Sequence, residues 1–256
     1  SHLLSLDSRL ADTGKIDLNL KVSYHELKLT MLQKAFKSSS LLFRSRFLTI
    51  LTIQLPLGIL VLFQRLLDTY LEKSPILALL VLLPLVSIIS NLGTALTYLL
   101  ISTPGKMGTK EFWTQLSSSL KPKFNTLTLS SLFIAIVLSL GFYLGQAFFI
   151  FPGIFLISLY FFVPILTISE TKQPILNYFY QSKRLATQSP KIFLTTIVLV
   201  IFSLFNEIPI RYLADLFERF FGFSLFSDVF LTILFAGWFD VFVCFYFLEL
   251  RPKGTQ

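Results

Sequence analysis

Residues 125–169 read NTLTLSSLFIAIVLSLGFYLGQAFFIFPGIFLISLYFFVPILTIS, an apolar stretch of about 45 residues. As one helix rising about 1.5 Å per residue, it would be more than twice the roughly 30 Å hydrocarbon core of a bilayer. It must fold back on itself. The turn is read at Phe149-Ile150-Phe151-Pro152-Gly153, because proline and glycine punctuate helices. The stretch therefore counts as two spans, 125–149 and 151–169.

Four further apolar runs lie outside it, at 47–67, 75–102, 191–210 and 227–248. Each approaches or exceeds the roughly 20 residues that a straight helix needs to cross. The expected fold is all-α, a polytopic transmembrane bundle of six helices. Residues 1–46 form a cytoplasmic or interfacial N-terminal segment, and 249–256 a cytoplasmic tail. Prolines Pro56, Pro84 and Pro164 fall inside spans and are expected to kink them. Ser1 is not an initiator methionine, as in a processed or shortened chain, and no signal peptide is read before the first apolar run.

Composition agrees. The 256 residues are 54% hydrophobic and 14% charged, with 29 phenylalanines and a mean hydropathy of +0.73. Soluble domains carry about 25% charged residues, and a globule with so few ionic groups could not cover its surface. The net charge of +8 does not point to nucleic acid, since the basic residues punctuate the apolar runs instead of forming one polar patch. Cys244 is the only cysteine, and the histidines are His2 and His25; an internal disulfide is excluded and a metal centre or other cofactor is not expected.

The loops set the orientation. The N-terminal stretch, the loop 103–124, the loop 170–191 and the tail hold 18 of the 22 Lys and Arg residues. The opposite loops hold Arg65, Lys73, Arg211 and Arg219, accompanied by Asp68, Glu72, Glu207, Asp215, Glu218 and Asp228. Basic loops stay in the cytoplasm, so both ends of the chain are expected there, in a bacterial inner membrane.

On the basic side, Ser23–Ser39 reads as an amphipathic helix. It sets Leu27, Met31, Leu32, Ala35 and Phe36 against Lys28, Lys34 and Lys37, a pattern suited to the membrane surface. Such stretches precede the first, third and fifth spans: AFKSSSLLFRSRF (35–47), WTQLSSSLKPKF (113–124) and LNYFYQSKRLATQSPKIF (176–193). Each joins an amphipathic piece and a serine-rich or Ser-Lys turn to a span. One reading is three copies of an elbow helix plus a transmembrane hairpin; the other is that any short cytoplasmic loop looks so. Lys37, Arg44, Arg46, Lys121, Lys123, Lys183, Arg184 and Lys191 are the interfacial bases. Each is expected to gain about 1 kcal/mol beside anionic lipid headgroups, the partners expected alongside the bilayer itself and other proteins of a membrane assembly.

Residues of the third unit also resemble a known group. Phe151-Pro152-Gly153-Ile154-Phe155, then Val163-Pro164-Ile165, Glu170 and Tyr180-Gln181-Ser182-Lys183-Arg184-Leu185 are similar to the core of the YciC-like family of uncharacterised bacterial inner-membrane proteins. Phe43-Arg44-Ser45-Arg46-Phe47-Leu48-Thr49 resembles that family's entry into its first span. The likeness covers the whole layout but only about 40 residues in detail. Tyr178 to Gln181 are bulky where the family has small residues. The resemblance implies a six-helix inner-membrane protein linked to envelope upkeep.

Catalytic patterns are missing from the sequence. It has no His-Glu-x-x-His, glycine-rich phosphate loop, Gly-x-Ser-x-Gly or Cys-x-x-Cys, and no histidine near a span to serve as base or ligand. An enzyme is not expected. The polar candidates at membrane depth are Asp240, Asn91, Gln54 and Glu207. An acid at a span's centre costs about 2.5–3.5 kcal/mol, so it faces the bundle or a cavity. Ala236, Gly237, Asp240 and Cys244 form one small, polar stripe, and Ser87, Asn91, Thr94, Ala95 and Tyr98 form another, both suited to helix contacts. Depth counted from the basic ends pairs Asn91 with Asp240. Glu207 is expected at the outer boundary, where Pro209 ends the fifth span. The leading function is a non-enzymatic membrane protein, an envelope-homeostasis factor or the membrane subunit of a larger complex. The alternatives are a small transporter or channel component using Asp240 in a polar path, and a lipid-handling protein.

Overall fold

The computed structural model describes residues 32–71, 83–102, 109–144, 150–170, 173–205, 207–222 and 224–251. Every described element is helical. In chain order they are α1 (Leu32–Ser45), α2 (Phe47–Leu71), α3 (Leu83–Ser102), α4 (Thr109–Leu120), α5 (Phe124–Leu144), α6 (Ile150–Tyr160), α7 (Val163–Ser169), α8 (Ile175–Ala186), α9 (Pro190–Phe205), α10 (Glu207–Phe221) and α11 (Ser224–Leu250).

Segments Pro84–Ser102 and Ser227–Leu250 are long and apolar enough to cross a membrane. Two bent pairs pass the same test if each is taken as one span: α1 with α2 at 92°, and α8 with α9 at 111°. The described chain thus carries two to four candidate spans by length and composition. α11 is the hub, packing against α2, α3 and α10. α3 also touches α5 and α7, and α5 packs against α6, so the long apolar stretch does fold back.

Several local expectations are corrected. The amphipathic N-terminal helix does not stop at Ser39 but runs on to Ser45; residues 23–31 lie outside the described residues. The serines do not make the elbow turns. Ser39 and Ser40 donate their hydroxyls to the Phe36 carbonyl at 2.8 and 2.9 Å, which satisfies them inside the helix. The second serine run lies within α4. The bends come afterwards, at Arg46, at Lys121–Lys123 and at Thr187–Ser189. Pro152 and Gly153 sit in the first turn of α6, where proline is tolerated because its missing N–H has no helical partner. Residues 145–149, which include part of the expected turn, lie outside the described residues.

Of the three prolines expected to kink spans, Pro84 is the second residue of α3 and Pro56 lies within an uninterrupted α2. Only Pro164 marks a break, at the start of α7. The stretch expected as a fourth span is thus two helices, parted at Phe161-Phe162. Ser182 of α8 serves the backbone left open there: its hydroxyl donates to the Leu159 carbonyl at 2.9 Å and accepts from the Phe162 N–H at 3.2 Å. The break also seats the Phe162 ring, fully buried, against Tyr246 and Phe247 of α11. Tyr178, bulky as it is, packs closely: it is 1% exposed, and its hydroxyl accepts from the Gln173 N–H at 3.0 Å.

Ser182→Ala removes a donor and an acceptor from this buried junction. Such orphaned groups cost about 1–3 kcal/mol, so its unfolding transition in detergent moves down by that amount, while Ser40→Ala, exposed on α1, stays close to the parent.

Candidate functional site: a buried acid shared by three helices

Two glycines allow the approach that builds this site. A Cβ at Gly237 of α11 would lie 2.8 Å from Cγ2 of Ile50 and 3.5 Å from Cγ of Gln54. A Cβ at Gly93 of α3 would lie 3.0 Å from the Gln54 amide and 3.3 Å from Oδ2 of Asp240. With both side chains reduced to hydrogen, α2, α3 and α11 meet around one carboxyl group. Small residues at such crossings are the usual device of helix packing in lipid.

Asp240 is 7% exposed and Gln54 1%. Gln54 Nε2 donates to Asp240 Oδ2 at 2.6 Å, and Thr94 Oγ1 lies 2.8 Å from Oδ1. Both oxygens are therefore served, one from α2 and one from α3. The Cys244 thiol, one turn along α11 and fully buried, donates to the Thr94 carbonyl at 3.6 Å.

The expected Asn91–Asp240 pairing is corrected. Asn91 Nδ2 donates to Ser131 Oγ of α5 at 3.1 Å and to Ser87 Oγ at 3.4 Å, while Ser87 Oγ donates to the Ser131 carbonyl at 3.2 Å. The polar stripe of α3 thus serves two neighbours, Asp240 through Thr94 and α5 through Asn91 and Ser87. Gln54 and Asp240 stand together; Asn91 belongs to a second contact. One turn from Gly93, the Thr97 hydroxyl is fully buried and has no hydrogen-bond partner.

Glu207 opens α10 instead of closing the expected fifth span, whose helix α9 ends at Phe205; Pro209 lies in the first turn of α10. α10 ends at Phe221 and is followed by Gly222, whose φ of 74° suits the left-handed conformation that glycine adopts past a helix end.

At the basic end, Lys37, Arg44, Lys121, Lys183, Arg184 and Lys191 are exposed, and Arg46 is half-buried. Lys123 turns inward, contrary to its expected place among headgroups: its ammonium donates to the carbonyls of Ile168, at 2.7 Å, and Glu170. Those carbonyls close α7, where a cation is favoured, and burial pushes the Lys123 amine below its usual range. Arg251 pairs with Glu170, and its guanidinium lies 5.2 Å from the Phe247 ring centroid. Sequence reading missed this clasp; the only signal was an acid isolated among bases at Glu170. Among the described residues, no three His, Cys, Asp or Glu side chains gather as a metal would need.

Fold and site together give an all-helical arrangement among the described residues, with two to four candidate membrane spans and a buried polar centre. Comparison with protein-family models, characterised proteins and solved structures gives no match for this chain.

Two threonines three residues apart give a paired test. Thr94→Val strips Asp240 of one partner and lowers stability in detergent by about 1–3 kcal/mol. Thr97→Val removes a buried hydroxyl that bonds nothing, so stability holds or rises. Equal losses in thermal unfolding contradict the assignment.

Proposed function

We propose that this chain is a non-enzymatic integral protein of the bacterial inner membrane, with six spans and both ends cytoplasmic. It acts as the membrane subunit of a larger assembly, in the envelope-upkeep setting that its resemblance to the YciC-like family implies. The observation that carries this reading is where the polar side chains go. Gln54, Thr94 and Asp240 join α2, α3 and α11; Ser87, Asn91 and Ser131 join α3 to α5; Ser182 joins α8 to the α6–α7 break. These groups hold helices together instead of converging on a substrate.

The six-span scheme rests on the apolar pieces α2, α3, α5, α6 with α7, α9 and α11, and on the sorting of 18 of 22 basic residues to alternate connections. Three of these pieces follow an amphipathic helix: α1 before α2, α4 before α5, α8 before α9. That arrangement favours three elbow-plus-hairpin units. On α8, Leu176 and Tyr180 are exposed beside Lys183 and Arg184, an apolar and basic face suited to anionic lipid. Phe133, Val198 and Phe202 are exposed apolar side chains, of the kind that lipid or a protein partner covers.

Single-cysteine labelling with an impermeant thiol reagent tests this, in a Cys244→Ala background. Gln146→Cys labels from outside intact cells; Gln188→Cys and Thr255→Cys label only once the membrane is opened. Labelling of Gln188→Cys and Thr255→Cys from opposite sides overturns the topology. Purified in mild detergent, the 29.3 kDa chain migrates with a second polypeptide in fixed ratio; a lone monomer overturns the subunit role.

A further inference from the structure

A neutral acid has a hydrogen to place as well as two oxygens to satisfy, and the surroundings of Asp240 accommodate both states. Thr94 Oγ1 lies 2.8 Å from Asp240 Oδ1 and 3.2 Å from the Ser90 carbonyl oxygen. A hydroxyl has one hydrogen and two lone pairs, so it donates to one of these at a time. Two closed arrangements share the same heavy-atom positions. In the first, a protonated Asp240 donates its Oδ1–H to Thr94 Oγ1, and the Thr94 hydroxyl donates to the Ser90 carbonyl. In the second, Asp240 is a carboxylate, and the Thr94 hydroxyl has turned to donate to Oδ1. The Ser90 carbonyl then keeps the N–H of Thr94, its partner four residues on in the helix. Gln54 Nε2 donates to Oδ2 in both.

We propose that Asp240 is a proton-binding site which the bundle loads and unloads, with the Thr94 hydroxyl as the rotor that closes the hydrogen bonds in either state. The step is a simple ionisation. The Asp240 O–H bond breaks, the electron pair stays on Oδ1, the proton passes to water, and the Thr94 O–H turns from Ser90 to the acid. Nothing is oxidised or reduced.

The neighbouring groups leave this charge free to vary. Segment 47–63 of α2 and the whole of α3 contain no Lys, Arg, Asp or Glu. The titratable groups around the acid are Cys244, one turn away on α11, and Tyr98, one turn from Thr94 on α3, both buried. Asp228, about three turns back along α11, and Glu249, about two and a half turns on, lie outside the cluster. No permanent cation among the described side chains of α2, α3 or α11 at this depth commits Asp240 to its ionised form. A lone acid between spans with neutral donors on both oxygens is the arrangement expected of an intramembrane proton site. This inference deepens the membrane-bundle reading and rests on it.

Infrared difference spectroscopy across a pH titration, on the protein in lipid vesicles, tests the proposal. A carboxylic-acid C=O band is expected that disappears and returns reversibly with pH and is lost in Asp240→Asn. Thr94→Val, which removes the rotor, shifts the band; Thr94→Ser, which keeps a hydroxyl, leaves it near its original position. Should Asp240→Asn fail to fold, the Thr94→Val shift alone assigns the band. No such band at any pH at which the helical amide signal persists overturns the proposal. So does a band whose loss follows sodium concentration at fixed pH, which would make this a metal-cation site. Either outcome leaves the cysteine-labelling topology intact, so the two readings fail separately.

Discussion

A carboxyl group buried between helices must find its hydrogen-bond partners within the protein. In this chain the partners of Asp240 come from two other helices, Gln54 on α2 and Thr94 on α3. The rest of the packing follows that requirement. Gly237 and Gly93 remove the side chains that would hold α2 and α3 away, and Gly58 does the same farther along α2, where Ile233 of α11 closes on it. α11 becomes the central helix because it carries the group that the others must reach.

A second constraint acts at the basic end. The break between α6 and α7 opens backbone groups that a buried helix cannot leave without partners. Ser182 serves the break itself, Lys123 serves the carbonyls that end α7, and Arg251 pairs with Glu170 just beyond. Three parts of the chain are thereby tied to one short helix: the entry to α5, the elbow α8 and the end of α11. The break also puts Phe162 into the aromatic core with Tyr246 and Phe247. The polar clasp and the core depend on the same irregularity.

Much of this was legible in the residues. The helical class follows from composition and run length, and Asp240 is conspicuous as a charge inside an apolar run. Gln54 is recognisable as polar within a span, but its partner is not. Depth counting matched Asp240 with Asn91 because both sit at a similar distance from the basic ends. One helical turn is about 5.4 Å, so a count of residues cannot separate Asn91 from Thr94, three positions on along the same stripe. The serine triplets looked like turns, since serine favours turns and caps. Inside α1 their hydroxyls bond back to the preceding carbonyls, and that choice depends on the helix continuing. Lys123 counted correctly as a basic loop residue, but a charge count does not reveal which way an ammonium points. Pro164 was visible as a kink, whereas its rescue by Ser182, 18 residues on in the sequence, depends on how α8 folds back.

The claim that three helices are held by one acid is tested most directly by a double-mutant cycle on Gln54→Leu and Asp240→Leu, read as unfolding free energy in detergent. Each single change leaves a polar group buried without its partner, while the double change removes both. The predicted result is a coupling of about 0.5–3 kcal/mol, with the double variant less impaired than the two singles together. Strict additivity would mean that Gln54 and Asp240 do not bind each other in the folded protein, and would contradict the account.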